Sequence, residues 1–330
     1  MTTPSQAADP VPTRRNKSAI LAVTVTLIFW SSAFAGIRQA LFLGFTPGHV
    51  VLLRFLSASA VFVIYALIRG VRLPKGRDWV AVAVLGWTGI SVYHIALTFG
   101  EQTVDAGTAS LLIAAAPAFT ALIATFVLNE RLRPLGWMGV VIGFIGIILI
   151  TMGSGSSHRV TMGAFYILLS AAATSVFFVG QKPLFARYNA IDLTAWFTWF
   201  GTLPMLWFLP GLTHDITHSP AAATWSCVYI GVFPAAIAYV AWAMALKAAP
   251  AGLVASSLYL NPILAIIIAW IWLGELPGWL SILGGAIAVC GVLLVNFGGT
   301  VKRKEATPSP SVADEAVENS PTVENPPVQG

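Results

Sequence analysis

The sequence predicts an all-α integral membrane protein in which ten transmembrane helices form two inverted repeats of five helices each. Three features indicate this fold: the composition, the apolar stretches and a segment that occurs twice. Charged residues make up 9% of the 330-residue chain and apolar residues 57%, whereas a typical soluble domain has about 25% charged residues. Each of ten apolar stretches has roughly 20 residues, the length that crosses a ~30 Å hydrocarbon layer as an α-helix. We place these spans, numbered 1 to 10, at residues 19–41, 47–68, 79–99, 105–128, 135–152, 162–182, 192–210, 224–247, 251–273 and 278–297.

The repeated segment lies in spans 4 and 5 and again in spans 9 and 10. Residues 106–151 align without a gap on residues 251–296. Matches of glycine, proline and glutamate are rare by chance in an apolar chain, and five such pairs coincide: Gly107 with Gly252, Pro117 with Pro262, Glu130 with Glu275, Gly139 with Gly284 and Gly146 with Gly291. The copies are offset by five spans, and an odd offset inverts the second copy in the membrane. Inverted repeats are typical of secondary transporters, so this pattern favours a transporter.

The basic residues predict the orientation and the domain organisation. Fifteen of the 18 lysines and arginines flank the spans on one side, and such residues favour the cytoplasmic face. We therefore expect both termini in the cytoplasm and the spans in the plasma membrane. The expected segments are a disordered N-terminus (1–18), a first repeat (19–152), a second repeat (160–297) and a disordered polar tail (298–330). The net charge of +5 reflects this asymmetry, and we expect no nucleic-acid partner.

Short motifs in both halves carry a family resemblance. They are Trp30-Ser31-Ser32-Ala33-Phe34, Leu53-Arg54-Phe55, Ala106-Gly107 through Pro117 to Asn129-Glu130-Arg131-Leu132, and Ala251-Gly252 through Asn261-Pro262 to Leu273-Gly274-Glu275. With these motifs the chain resembles the drug/metabolite transporter superfamily, and within it the EamA-type exporters, over residues 19–297. The resemblance implies two bundles around a central cavity near the bilayer midplane. It also implies export of amino acids, other metabolites or toxic cations. The small four-span exporters of this superfamily carry a glutamate in their first span, but the corresponding stretch here, Thr26 to Phe34, has no acid.

Charged and titratable residues within the spans are candidates for substrate binding or proton coupling. Arg54 lies about five residues into span 2, where a charge must face protein, water or a ligand. It could bind a substrate carboxylate or extend to the interface, and for Arg38 in span 1 we expect the interface. His94, beside Tyr93 in span 3, is a candidate proton relay or a hydrogen-bonded packing residue. Because no acid lies deep in any span, coupling could be a proton step at His94 or absent, as in facilitated diffusion.

Aromatic and hydroxyl side chains at midplane depth are candidates for the wall of the cavity. Trp30, Ser31 and Phe34 lie in the middle of span 1, although a serine there can instead bond to its own helix. The other candidates are Tyr239 and Trp242 on one face of span 8, and Tyr259 and Asn261 in span 9.

Two prolines and two glutamates occupy equivalent positions in the repeats. Pro117 and Pro262 fall near the middles of spans 4 and 9, where a proline leaves backbone groups unpaired and predicts a hinge or a binding site. We expect Glu130 and Glu275 to cap the helices that follow them. Glycines in spans 5 and 10 predict close helix packing within the chain.

These observations predict a secondary transporter that exports amino acids or related small carboxylate-bearing metabolites by alternating access. The alternative is an exporter of toxic or lipophilic cationic compounds, which would use its aromatic side chains. An enzyme is not expected, because the sequence has no His/Asp/Glu cluster, HExxH motif or phosphate-binding glycine loop. We expect no cofactor and no metal site. The partners expected are a small-molecule substrate and the lipid bilayer, and the choice between monomer and homodimer stays open.

Overall fold

The computed structural model describes residues 13–127, 131–153, 158–248, 254, 257–295 and 300–301. The predictions for the first 12 residues, for Glu130, for Gly252 and for the tail after residue 301 lie outside these residues. The helices are α1 (Thr13–Phe42), α2 (Pro47–Arg69), α3 (Asp78–Gly86), α4 (Tyr93–Gly100), α5 (Ala106–Ile113), α6 (Ala116–Val127), α7 (Pro134–Gly153), α8 (His158–Phe185), α9 (Ala190–Met205), α10 (Leu212–His218), α11 (Ala221–Val232), α12 (Ala238–Ala248), α13 (Asn261–Leu273) and α14 (Trp279–Leu294).

Short irregular turns join some of these helices. A π-helical turn at Trp87–Val92 connects α3 to α4, and a second one at Phe233–Ile237 connects α11 to α12. The one pair of strands among the described residues is minimal: Arg131–Leu132 pairs antiparallel with Thr300–Val301. The described chain is otherwise helical.

Six helical segments are long and apolar enough to cross a membrane. They are Ser18–Phe42, Pro47–Arg69, Asp78–Gly100, Pro134–Gly153, Met162–Phe185 and Ala221–Trp242. Three shorter apolar segments, Ala106–Thr120, Ser257–Leu273 and Trp279–Leu294, correspond to the predicted spans 4, 9 and 10. The predicted span 7 corresponds to the 16-residue helix α9 and the 3₁₀ turn Leu206–Phe208.

Both predicted proline sites coincide with an interruption of the helix, but the interruption precedes the proline. α5 ends at Ile113 and α6 begins at Ala116, so Pro117 lies in the first turn of a new helix. Likewise, a 3₁₀ turn at Ser257–Leu260 comes directly before α13, in which Pro262 is the second residue. A first-turn proline lacks only an N–H that has no intrahelical partner. The prolines therefore lie in the first turns of new helices, directly after the interruptions, and their role as hinges stays a prediction.

Glycines bring α7 and α14 into backbone contact. A methyl group on Gly139 would lie 2.6 Å from the carbonyl oxygen of Gly291, and one on Gly146 would lie 2.5 Å from the amide nitrogen of Ala288. Gly284 faces α7 in the same way, with its added methyl group 2.6 Å from the amide nitrogen of Ile150. Only glycine allows two helices to approach so closely, and the predicted packing within the chain is confirmed for these residues.

Contacts between connections define one end of the helix bundle, which we call the Arg38 end. It holds the connections 43–46, 101–105 and 274–278. The same end carries the short helix α10, whose Asp215 accepts hydrogen bonds from the backbone N–H of Thr46 and from the ring of His49. The candidate site lies between this end and the middle of the bundle.

Candidate functional site

Three of the predicted aromatic residues form one cluster between α1 and α12. The ring centroid of Trp30 lies 5.3 Å from that of Tyr239 and 5.3 Å from that of Trp242. The indole N–H of Trp30 donates to the carbonyl oxygen of Pro234, at 3.2 Å, within the π-helical turn. Such turns are frequent at functional sites. All three rings are half-buried, so the cluster can contact a molecule that enters between these helices.

Two predicted polar residues bind each other across the helices. The hydroxyl of Ser31 donates to the side-chain oxygen Oδ1 of Asn261 at 2.7 Å, and it also lies 3.1 Å from the carbonyl oxygen of that residue. Ser31 therefore does not bond to its own helix, which was the alternative. Tyr259 is half-buried in the 3₁₀ turn two residues earlier, and Phe34 is buried in the main hydrophobic core.

Arg54 is buried inside the bundle, with 3% of its surface exposed. Among the described residues, no hydrogen-bond partner contacts its Nε or Nη1 atom. Tyr93, Tyr239, Glu101 and Cys227 are near enough to interact with it electrostatically. The backbone of α11 packs tightly against α2 here, since a methyl group on Gly231 would meet the carbonyl oxygen of Arg54 at 2.2 Å. Because its side chain is buried, Arg54 does not extend to the membrane interface in this conformation.

His94 is buried next to Arg54 on the facing helix α4. Its ring packs against Phe55, with centroids 4.6 Å apart, and against the half-buried Tyr93, at 4.3 Å. Neither ring nitrogen has a hydrogen-bond partner in the described part of the chain. In this conformation His94 is therefore not the hydrogen-bonded packing residue that the sequence offered as the alternative. One turn further along α4, the hydroxyl of Thr98 is also buried without a described partner.

Glu101 completes this set, and the sequence analysis missed it. It follows α4 directly, is fully buried, and neither of its carboxylate oxygens has a hydrogen-bond partner among the described residues. Hydropathy ends span 3 at residue 99, which suggested that Glu101 lies at the membrane boundary. The usable signal was the spacing of His94, Thr98 and Glu101, because residues four and seven positions apart share one helix face. We call Arg54, His94, Thr98 and Glu101 the Glu101 group.

A second set of charges at the same end is fully paired. Nε of Arg38 lies 3.0 Å from Oε1 of Glu275 in a salt bridge, and Nη1 donates to the carbonyl oxygens of Glu101 and Gln102. The other carboxylate oxygen of Glu275 accepts from the N–H of Ala106, at 3.3 Å. One expectation is corrected: Glu275 caps the first turn of α5 and not the helix that follows it. Arg38 lies among the connections at this end of the bundle, and its position at the membrane interface stays a prediction.

Two stretches of the chain, residues 17–152 and 161–297, each match the EamA-like transporter family. The chain belongs to this family. It is 39% identical over 280 residues to the uncharacterized transporter YdfC of Bacillus subtilis (strain 168), covering 84% of this chain and 91% of that protein. It is also 38% identical over 289 residues to the probable terminal-alkyne amino-acid exporter of Streptantibioticus cattleyicolor, covering 88% of this chain and 97% of that protein.

A solved structure has the same fold as this EamA-like transporter, with a TM-score of 0.56 and 22% sequence identity over 85% of this chain and 98% of that chain. Together with the six long apolar helices, membership of this family makes the protein a multi-pass, all-helical membrane transporter. Both relatives are named as transporters, and the expectation that the protein is not an enzyme stays a prediction.

One cleft of this EamA-like transporter lies away from the predicted residues. It is small, has an apolar lining, and lies between the start of α6, α7 and α14. None of the predicted site residues lines it. Its lining residues are Ala115, Ala118, Phe119, Gly143, Phe144, Ile147, Ala288 and Val292. Because these side chains offer no polar group to orient a substrate, we assign the cleft no binding role.

Proposed function

We propose that the protein is a secondary transporter that exports amino acids or related small carboxylate-bearing metabolites across the cytoplasmic membrane by alternating access. The observation that carries the proposal is Arg54, a buried guanidinium with two nitrogens that lack a partner among the described residues. A buried charge is costly unless it is paired, and a guanidinium binds a carboxylate through two parallel hydrogen bonds. A substrate carboxylate would supply the missing pairing.

The residues around Arg54 provide the rest of the proposed binding site. Tyr239 is near Arg54, and its ring contacts Trp30 edge to face, with the centroids 5.3 Å apart. The cluster of Trp30, Tyr239 and Trp242 would therefore contact the substrate side chain, while its carboxylate binds Arg54. Ser31, Phe34, Tyr93, His94, Tyr259 and Asn261 complete the proposed set of substrate-binding residues.

For the architecture we propose ten transmembrane helices in two inverted five-helix repeats, residues 19–152 and 160–297, around a central site. The disordered segments 1–18 and 298–330 would both lie in the cytoplasm. The two separate family matches support the duplication. The helix interruptions before Pro117 and Pro262 support an equivalent role for the two positions, which we propose as hinges of alternating access.

A second candidate function is export of lipophilic cations. The aromatic cluster favours it, because Trp30 and Tyr239 can contact a cation through their ring faces. The buried carboxylate of Glu101 would pair with the same cation. In this case Arg54 would oppose binding, and its removal would leave transport of the cation unchanged or improved.

Counterflow in proteoliposomes tests the proposal. Vesicles loaded with each proteinogenic amino acid in turn are diluted into the labelled compound, and an ethidium-like cation is tested in parallel. We expect exchange of one or more amino acids that falls about tenfold or more in Arg54→Gln, because a charge-assisted pair is lost. The matched control is Arg69→Gln, an exposed arginine in the last turn of the same helix. Exchange of the cation alone would overturn the proposal.

A further inference from the structure

The Glu101 group concentrates unpaired polar atoms on one face of α4 and on the facing side of α2. His94 is 2% exposed, Thr98 and Glu101 are 0% exposed, and Arg54 is 3% exposed. Most buried polar side-chain atoms have a hydrogen-bond partner, and each exception needs an explanation. The four neighbouring residues with unpaired atoms include one positive and one negative side chain, and this combination indicates a binding site.

The charged side chains that face Glu101 already form hydrogen bonds or ion pairs with other protein groups, with one exception. Arg38 from α1 pairs with Glu275 and uses Nη1 for the backbone carbonyl of Glu101, not for its carboxylate. Glu275, from the connection before α14, is bound by Arg38 and Ala106. Asp105 accepts from the backbone N–H and the hydroxyl of Thr108, at 2.8 and 2.7 Å. Arg54 from α2 is the exception, since its Nε and Nη1 are free of described partners.

The helix α8 also packs against this region, and none of its described side chains carries a charge. A methyl group on Gly100 would meet the side chain of Ile167 at 2.5 Å and the carbonyl oxygen of Gly163 at 2.7 Å. Among the described side chains, the charge available for a ligand is therefore one positive group, Arg54, and one negative group, Glu101. This pair complements a molecule that carries both signs, such as the carboxylate and ammonium groups of an amino acid.

We propose that Glu101 binds the ammonium group of an amino acid whose carboxylate binds Arg54, and that a proton competes with this ammonium group for Glu101. The inference rests on the proposed function and specifies its substrate class and its coupling. A buried carboxylate without a partner favours its protonated form, so the empty site holds a proton. An amino acid arriving from the cytoplasm displaces this proton to the cytoplasm. After the amino acid has left on the other side, Glu101 takes up a proton from that side.

One cycle therefore moves one amino acid out and one proton in. Because the amino acid carries no net charge, each cycle also moves one positive charge inward. Both the pH gradient and the membrane potential would drive export, with no acid required in span 1.

The test compares Glu101→Gln with Glu275→Gln in proteoliposomes, using the amino acid that gives the strongest counterflow in the wild type. An inward proton gradient is imposed on right-side-out vesicles, and export of the amino acid and the internal pH are recorded together. We expect Glu101→Gln to lose gradient-driven export and proton uptake. Glu275→Gln makes the same chemical change at the same end and retains both, because its carboxylate has protein partners.

A second measurement reports on the ammonium group. The same acid without its amino group has no cation that could displace the proton from Glu101, so it should bind the wild type without releasing a proton. We expect Glu101→Gln to bind this acid about as well as the wild type does, whereas its affinity for the amino acid should fall about tenfold or more, because the charge-assisted contact with the ammonium group is lost. Should Glu101→Gln fail to fold, Glu101→Asp keeps the titrating group and is expected to retain proton uptake at reduced affinity.

The outcomes separate the two proposals. If no amino acid exchanges in the wild type, the proposed function itself fails. If exchange occurs and depends on Arg54, but Glu101→Gln still exports along the proton gradient, only the role of Glu101 is overturned. Loss of proton uptake in Glu101→Asp, with exchange intact, would also overturn it.

Discussion

Two groups of charges lie near the Arg38 end, one half-buried and one fully buried, and they differ in how completely the protein pairs them. The pair of Arg38 and Glu275 has a protein partner for each carboxylate oxygen of Glu275, and for Nε and Nη1 of Arg38. In the Glu101 group, both carboxylate oxygens and two guanidinium nitrogens lack a partner among the described residues. Charges with complete partners hold the structure together, whereas charges without them remain available to a ligand.

The two groups also differ in what they join. Glu275 lies in the second family match, and Arg38 and Ala106 lie in the first. The paired group therefore joins the two halves of the chain at this end. Arg54 and Glu101 both lie in the first half, on two helices that pack against each other. Unpaired buried charges destabilise a protein, and such charges are retained where function needs them.

The largest expected effect comes from Arg54→Met. This change removes an unpaired buried charge, and replacing buried charges with apolar groups is often neutral or stabilising. We expect amino-acid exchange to fall about 100-fold or more, because several kcal/mol of a buried ion pair with the substrate are lost. The thermal unfolding temperature should stay equal or rise. A clear fall in that temperature would show that Arg54 is a structural residue, like Arg38.

Arg38→Met should give the opposite result. It leaves Glu275 without its salt-bridge partner, and we expect the protein to lose roughly 2 kcal/mol of stability. Thermal unfolding in detergent measures this loss, while the affinity for the exchanged amino acid should change little. The double variant Arg38→Met with Glu275→Met should recover part of the stability, since no charge is left unpaired. If the double variant is no more stable than Arg38→Met, the pair does not act as a unit.

Ser31→Ala tests a neutral, fully paired contact between the same halves. It removes the hydrogen bond to Asn261 and should reduce stability by about 1 kcal/mol. Thr217→Ala, an exposed hydroxyl that bonds within its own short helix, is the control and should have little effect on unfolding. A loss of exchange in addition would support the proposed contact of Ser31 with the substrate, whereas unchanged stability would contradict the role of its hydrogen bond to Asn261.

The smallest effect is expected from Asp215, outside the membrane-spanning helices. Burial raises the pKa of this carboxyl, but the hydrogen bonds from Thr46 and His49 outweigh burial and lower the pKa below its ordinary value of 3.8. A lowered pKa stabilises the fold fully above 3.8, and this contribution is lost as the pH falls through the folded value. Asp215→Asn should therefore unfold at a lower temperature than the wild type near neutral pH. The difference should shrink below pH 3.8, and a difference independent of pH would contradict the assignment.

The sequence was sufficient to predict which residues lie together when their spacing along one helix determines the face that they share. Tyr239 and Trp242 are three residues apart and share a helix face, and the structure places both against Trp30. The glycines of α7 and α14 were likewise recognisable, because only glycine permits such close packing. The family and the helical membrane fold also followed from motifs and hydropathy.

The partners of charged residues could not be predicted, because they depend on how helices from different halves meet. The sequence does not indicate that Arg38 pairs with Glu275, because the connection after α13 brings the two within 3.0 Å only in the folded chain. Glu101 was missed for a related reason. Hydropathy measures each segment alone, and it cannot register that α1, α2 and α8 cover the residue that follows α4.

The pairing of Arg38 with Glu275 has an electrical consequence. Moving one elementary charge through the full membrane potential involves about 2.3 kcal/mol per 100 mV. Arg38 and Glu275 have opposite charges and lie 3.0 Å apart, so the voltage exerts almost no net force on the pair while the two residues move together. A change in membrane voltage therefore does not drive the bonded pair towards either face of the membrane.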